Sequence, residues 1–89
     1  MFDTRRSEIE IIWEILRLSQ EGARVTEILY QGNFSYQQLQ NYLSLLLDKN
    51  ILEEKIVKND NGKFYSIYQA TDKGSHLLDD ITKLLMYFE

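Results

Sequence analysis

The chain has 89 residues, a formal net charge of −4, 44% hydrophobic residues and no cysteine. Without cysteine there is neither a disulfide framework nor a thiolate metal site, and no apolar run reaches the roughly 18 residues of a membrane span. The acidic balance argues against a protein that coats nucleic acid by bulk attraction, and the length suits one small domain, residues 1–89, whose modest core a partner subunit would help to close.

The opening run Met1-Phe2-Asp3-Thr4-Arg5-Arg6 turns directly amphipathic and does not read as a signal peptide. A first helix is predicted from Thr4 or Arg5 to Gln20, ending before Gly22. It carries two apolar stripes. Ile9, Ile12, Trp13 and Leu16 form one, expected to meet the body of the domain, with Trp13 in a core role. Ile11, Ile15 and Leu18 form the other, nearly opposite, and a helix apolar on two sides is packed on two sides. The last helix, from this chain or from a partner, is the candidate cover.

A short helix follows over about residues 24–31, with Val25, Ile28 and Leu29 facing in and Gly32 permitting a left-handed exit. Asn33 and Phe34 lead to Ser35, a helix cap, with Gln38 three residues on to complete a capping box. The helix to Lys49 buries Leu39, Leu43 and Leu46, spaced four and three. Gln37, Gln40, Asn41 and Ser44 then lie on the opposite side. A solvated helix face is normally rich in Glu and Lys, but this one is uncharged until Asp48. Amide side chains suit paired donor–acceptor contacts with base edges, adenine above all. Taken alone, the face reads more simply as a polar surface built from a good helix former, and its surroundings shift that balance. Two helices joined by a short turn containing Gly make a helix-turn-helix, here about residues 24–49, with Tyr30 and Tyr42 expected around its junction.

Residues 51–58 and 63–69 are rich in β-branched and aromatic side chains and flank Asn59-Asp60-Asn61-Gly62, a hairpin signal. Lys58 and Lys63 bracket its tip, and with Lys55 they make this segment locally basic. Thr71 caps a last helix from Asp72 to about Phe88. Leu77, Ile81, Leu84 and Phe88 are spaced four, three, four along it, and Leu78 and Leu85 widen the stripe. Such a stripe can cap the chain's own core. With the second stripe of the first helix it also makes a dimer seam, formed by Leu77, Ile81, Leu84, Leu85, Phe88, Ile11, Ile15 and Leu18. The order is α-α-α-β-β-α, mainly α with a small hairpin.

Thr26 to Tyr30, then Asn33-Phe34-Ser35-Tyr36-Gln37-Gln38-Leu39-Gln40-Asn41-Tyr42-Leu43, resembles the signature of a family of small archaeal winged helix-turn-helix proteins. So do the opening Arg6 to Ile12 and the stretch Tyr68 to Gly74. The resemblance implies a DNA-binding transcriptional regulator, as do relatives that are chromatin-associated and dimerise through an antiparallel coiled coil of their last helices. It implies that helix 35–49 is the recognition helix, residues 51–69 the wing and the helix over 72–88 the dimer element. Relatives commonly carry basic residues where this chain has Glu27, Gln40 and Asn41, which favours sequence-selective regulation over chromatin coating.

The expected mode is therefore a homodimer on double-stranded DNA, cytoplasmic and nucleoid-associated. Gln37, Gln40, Asn41 and Ser44 would read bases. Tyr36, Lys58, Lys63, Arg24, Arg5 and Arg6 would hold the backbone, although Tyr36 can equally pack inward. The alternative is a winged-helix protein–protein adaptor without DNA binding, which suits the acidic balance. An enzyme is not expected. His76 is the single histidine, and with Asp79 and Asp80 it makes no convincing ligand set, so no metal or cofactor is implied.

Overall fold

The computed structural model describes residues 7–88. The elements are α1 (Glu8–Leu18), α2 (Val25–Gly32), α3 (Tyr36–Asp48), β1 (Leu52–Lys58), β2 (Phe64–Ala70) and α4 (Asp72–Met86), in the order expected.

Helix α1 starts later than the sequence suggests, because Ser7 is an extended cap residue and not part of the helix. Its Oγ accepts the Glu10 N–H at 3.2 Å, and the Glu10 carboxylate accepts the Ser7 N–H at 3.4 Å. Two otherwise free amides are thereby satisfied reciprocally. At the other end the Ser19 hydroxyl donates to the Ile15 carbonyl at 2.8 Å, and Gly22, at φ +96°, turns the chain out of the helix.

Helix α1 is the central element, and this corrects the expected use of its stripes. Ile11 and Ile15, assigned above to a dimer seam, are 3% and 0% exposed inside this chain's own core, and Leu18 packs half-buried against it. From the stripe expected to face inward, Leu16 is buried but Ile9 lies at the surface. Trp13 is half-buried against α4, its indole N–H donating to Thr82 Oγ1 at 2.9 Å. The Gln20 side chain accepts from Ser75 Oγ at 3.2 Å, so α1 and α4 run antiparallel. One chain thus covers both sides of α1.

Ile15, Leu16, Ile28, Leu39, Leu43, Leu46 and Leu52 are the largest fully buried side chains, drawn from α1, α2, α3 and β1. Each contributes about 1.5–3 kcal/mol by leaving water. Between α2 and α3 the left-handed residue is Asn33, at φ +57°, and not Gly32. Gly32 is required for another reason: a Cβ there would run into the Phe34 ring, which folds back beneath it. At the start of α3, Ser35 Oγ accepts the Gln38 N–H at 3.1 Å. The return bond from the Gln38 side chain is not made, so this cap is one-sided.

The hairpin pairs antiparallel from Leu52 with Ala70 to Lys58 with Phe64. A two-stranded ribbon alone is marginal in water, and a third segment supports this one. Ala23 donates to the Tyr68 carbonyl at 2.9 Å, and Tyr68 donates to the Ala23 carbonyl at 2.8 Å. That bridge ties the start of the helix-turn-helix to the free edge of β2. Thr71 then caps α4, its Oγ1 accepting the Gly74 N–H at 3.0 Å and donating to the Asn50 carbonyl at 2.7 Å. Ile81 of α4, assigned above to the seam, is 7% exposed within this chain. None of the helices among the described residues is long and apolar enough to cross a membrane.

Candidate nucleic-acid interface

Burial of Leu39, Leu43 and Leu46 fixes the rotation of α3, and its opposite face is the candidate reading surface. Gln37, Asn41 and Ser44 are exposed there, and Gln40 is half-buried at the margin. Gln37 Nε2 donates to Asn41 Oδ1 at 3.2 Å, one helical turn on. The pair keeps two N–H groups on Asn41 and the Oε1 acceptor of Gln37 for other partners. No ionised group interrupts this face before Asp48.

Tyr36, at the start of α3, is 63% exposed, so it faces solvent and not the core. It lies near Tyr68, whose phenol is pushed above the ordinary tyrosine value by burial first, then by the Glu54 carboxylate and by Tyr36. Tyr42 packs half-buried against the core. Its phenol is likewise raised, by burial and then by Glu8, to whose carboxylate it donates at 3.5 Å. Tyr30 does not join this junction: it sits on the outer side of α2 and is fully solvated, at 88% exposure.

The hairpin tip is organised by one side chain. Asn59 Oδ1 accepts the backbone N–H groups of Asn61 and Lys63, both at 2.9 Å. The Asn59 N–H donates to the Lys63 carbonyl at 2.8 Å, and Gly62 supplies the left-handed residue at φ +81°. Lys63 therefore leaves a fixed backbone. Lys58 extends over the Phe64 ring, 5.7 Å from its centre. Phe64 and Ile56 are both exposed, and the strand register sets them on one face with Lys58.

Arg24 lies at the start of α2 and not at the tip. Its guanidinium sits 3.8 Å from the centre of the Tyr65 ring, and its backbone N–H donates to the Glu27 carboxylate at 2.8 Å. Sequence reasoning missed Tyr65, because only the Ala23–Tyr68 bridge brings β2 beside residue 24. Arg5 and Arg6 lie outside the described residues.

Of the expected seam residues on α4, Leu77 and Leu85 are half-buried and Ile81 is buried, while Leu84 and Phe88 are exposed. Met86 and Tyr87 are exposed beside them, and the antiparallel run of α1 brings the exposed Ile9 to the same end. The surface available to a second copy is therefore the outer end of α4, without Ile11 or Ile15. His76, Asp79 and Asp80 are all exposed, and among the described residues no cluster of three or more acidic, His or Cys side chains is set to hold a metal ion.

Comparison with known proteins extends this picture. A family model described as winged helix-turn-helix matches residues 5–87. The uncharacterised protein MJ0290 of Methanocaldococcus jannaschii is 33% identical over 81 residues, 90% of this chain but 34% of that protein. The chain thus spans about a third of that relative's length. A second uncharacterised protein of the same organism, MJ0287, is 30% identical over 71 residues, 73% of each chain. Among solved structures, Sso10a-2, a DNA-binding protein from Sulfolobus solfataricus, superposes with a TM-score of 0.76 at 27% identity, covering 92% of this chain and 81% of that one. A PadR-like transcription factor from Bacteroides fragilis shares the fold at a TM-score of 0.72 and 20% identity, over 89% of this chain and 82% of that one.

Proposed function

This chain belongs to the winged helix-turn-helix family, and from that premise we propose that it binds double-stranded DNA sequence-selectively, as a homodimeric transcriptional regulator. The observation that carries the reading is the outer face of α3, capped at its start, uncharged until Asp48 and furnished with the coupled amides of Gln37 and Asn41. In a major groove that face presents donors and an acceptor to base edges. Lys58 and Lys63 at the wing and Arg24 at the start of α2 supply phosphate contacts, which position the protein without reading sequence. The likeness to a solved DNA-binding protein over 92% of the chain supports the same reading. No catalytic or cofactor role is proposed, and the site of action is the nucleoid, in the cytoplasm.

The direct test is fluorescence anisotropy with a pool of random duplexes at low and physiological salt. Binding that weakens as salt rises supports the reading; no binding at low salt removes it. Lys63→Ala is expected to weaken every sequence alike and to lower the salt slope by about 0.9. An unchanged slope would take Lys63 off the phosphate backbone.

The homodimer rests on the exposed Leu84, Met86, Tyr87 and Ile9 at the outer end of α4. Leu84→Asp is expected to give monomers in sedimentation velocity with little loss of thermal stability. A persisting dimer would place the seam elsewhere. Ile81→Asp is expected to act differently, destabilising the fold itself, because Ile81 is buried within the chain.

One observation favours a protein-adaptor reading: Ile56 and Phe64 are exposed apolar side chains on the wing of a chain with net charge −4. Loss of all duplex binding in the anisotropy experiment would make that reading lead.

A further inference from the structure

We infer that Tyr65 is a positioning residue, which holds Arg24 as a preformed clamp for a DNA phosphate at the base of the wing. The inference rests on the DNA-binding reading and adds to it a residue and a mechanism.

Two arginines among the described residues contrast sharply. Arg17 is neutralised: Glu14 accepts from its Nε at 3.0 Å and from its Nη2 at 2.7 Å, and the guanidinium pKa is raised chiefly by that bond. Arg24 is held instead by an uncharged ring, 3.8 Å from its centre. Among the described residues the ion pair is Arg17 with Glu14. The Glu27 carboxylate, three residues on, accepts from the Arg24 backbone N–H at 2.8 Å, and no ion pair joins it to the guanidinium. Arg24 therefore keeps its full charge.

Stacking also leaves its donors available. A ring covers the face of a guanidinium, while the five N–H groups lie in its plane and point outward at the edge. That planar fork matches a phosphate's two oxygens. An arginine free in solvent would give up rotamer entropy on binding, and one already laid on a ring gives up less. The mounting is firm, because Tyr65 and Arg24 sit on two segments joined by the paired bonds between Ala23 and Tyr68. On the same strand face, Lys55 donates to the Gln69 side chain at 2.8 Å and so also keeps its charge, whereas Glu53 subtracts from the local potential. The matching ligand is a backbone phosphate and not a base, since nothing in the stack reads a base edge.

The test is a double-mutant cycle in the full-length protein, by anisotropy on one random-sequence duplex of 20 base pairs across a salt series. Arg24→Gln is expected to weaken binding and to lower the salt slope by about 0.9, the share of one phosphate contact. Tyr65→Leu is expected to weaken binding about two- to tenfold, the ordering cost of one long side chain no longer held in place before binding, with the slope kept because the charge remains. Tyr65→Phe should bind like the parent. In the Arg24→Gln background, Tyr65→Leu should have no further effect. Arg17→Gln is the control and should leave the slope unchanged. Additive losses in the cycle, or Tyr65→Phe as poor as Tyr65→Leu, would show that Tyr65 merely supports the strand and would overturn the inference. Both arms leave the DNA-binding reading intact. A parent protein that binds no duplex at any salt would overturn both.

Discussion

Gly74→Ala is expected to destabilise the fold by about 3 kcal/mol, lowering the melting temperature by roughly 10–25 °C. The sign is not obvious from sequence. Inside a helix, Ala is normally better than Gly by about 1 kcal/mol. Here a Cβ at position 74 would be driven into the backbone carbonyl oxygen of Ile51. That carbonyl cannot swing aside cheaply, because it accepts the Thr71 N–H and the Thr71 hydroxyl, each at 3.1 Å. Helix α4 would have to lift from the base of the hairpin, breaking the Thr71 cap and uncovering Ile81 and Leu77. Close approach at this point outweighs propensity. Differential scanning calorimetry decides it: an unchanged or raised melting temperature would mean that α4 rides outward without loss.

The second large effect is functional. Asn41→Ala is expected to cost about 1–3 kcal/mol of discrimination at one base pair, a factor of roughly 5 to 150, while non-specific binding changes little. The stability of the chain should be nearly unaltered, since Asn41 is exposed and bonded only to Gln37. Gln37→Ala should relax preference at the same or an adjacent base pair, because the two amides share one hydrogen bond and act as a unit. Affinity measured on the selected site and on its single-base variants checks this. Equal losses across all variants would assign Asn41 to general contact and not to reading.

Much of the fold was legible because the signals that set it are local. Ser35 and Thr71 cap their helices as expected, and the spacing of Leu39, Leu43 and Leu46 gives the burial found. The start of α1 was misread because Ser7, with Glu10 three residues on, forms a cap at a position the helix was expected to run through. The two stripes of α1 were read correctly as two packed sides. What periodicity does not carry is which neighbour covers each side, and here one chain covers both. That reassigns Ile11, Ile15 and Ile81 from a seam to the core.

The site was legible in part. Exposure of Gln37, Asn41 and Ser44 follows from helix rotation alone. Tyr65 and the bridge at Ala23 were not legible, since a single paired residue leaves no pattern in a sequence. The need for glycine at position 74 was not legible either, because what a Cβ there would meet lies more than twenty residues away at Ile51.

The most direct test of the central claim is selection from a random duplex library by the parent protein at physiological salt, followed by sequencing. A sequence-selective α3 predicts enrichment of one motif, with two half-sites about one helical turn apart for a dimer, and loss of preference at one base pair in the Asn41→Ala protein. Recovery of unenriched sequences by both proteins would contradict the account, leaving α3 as a structural helix.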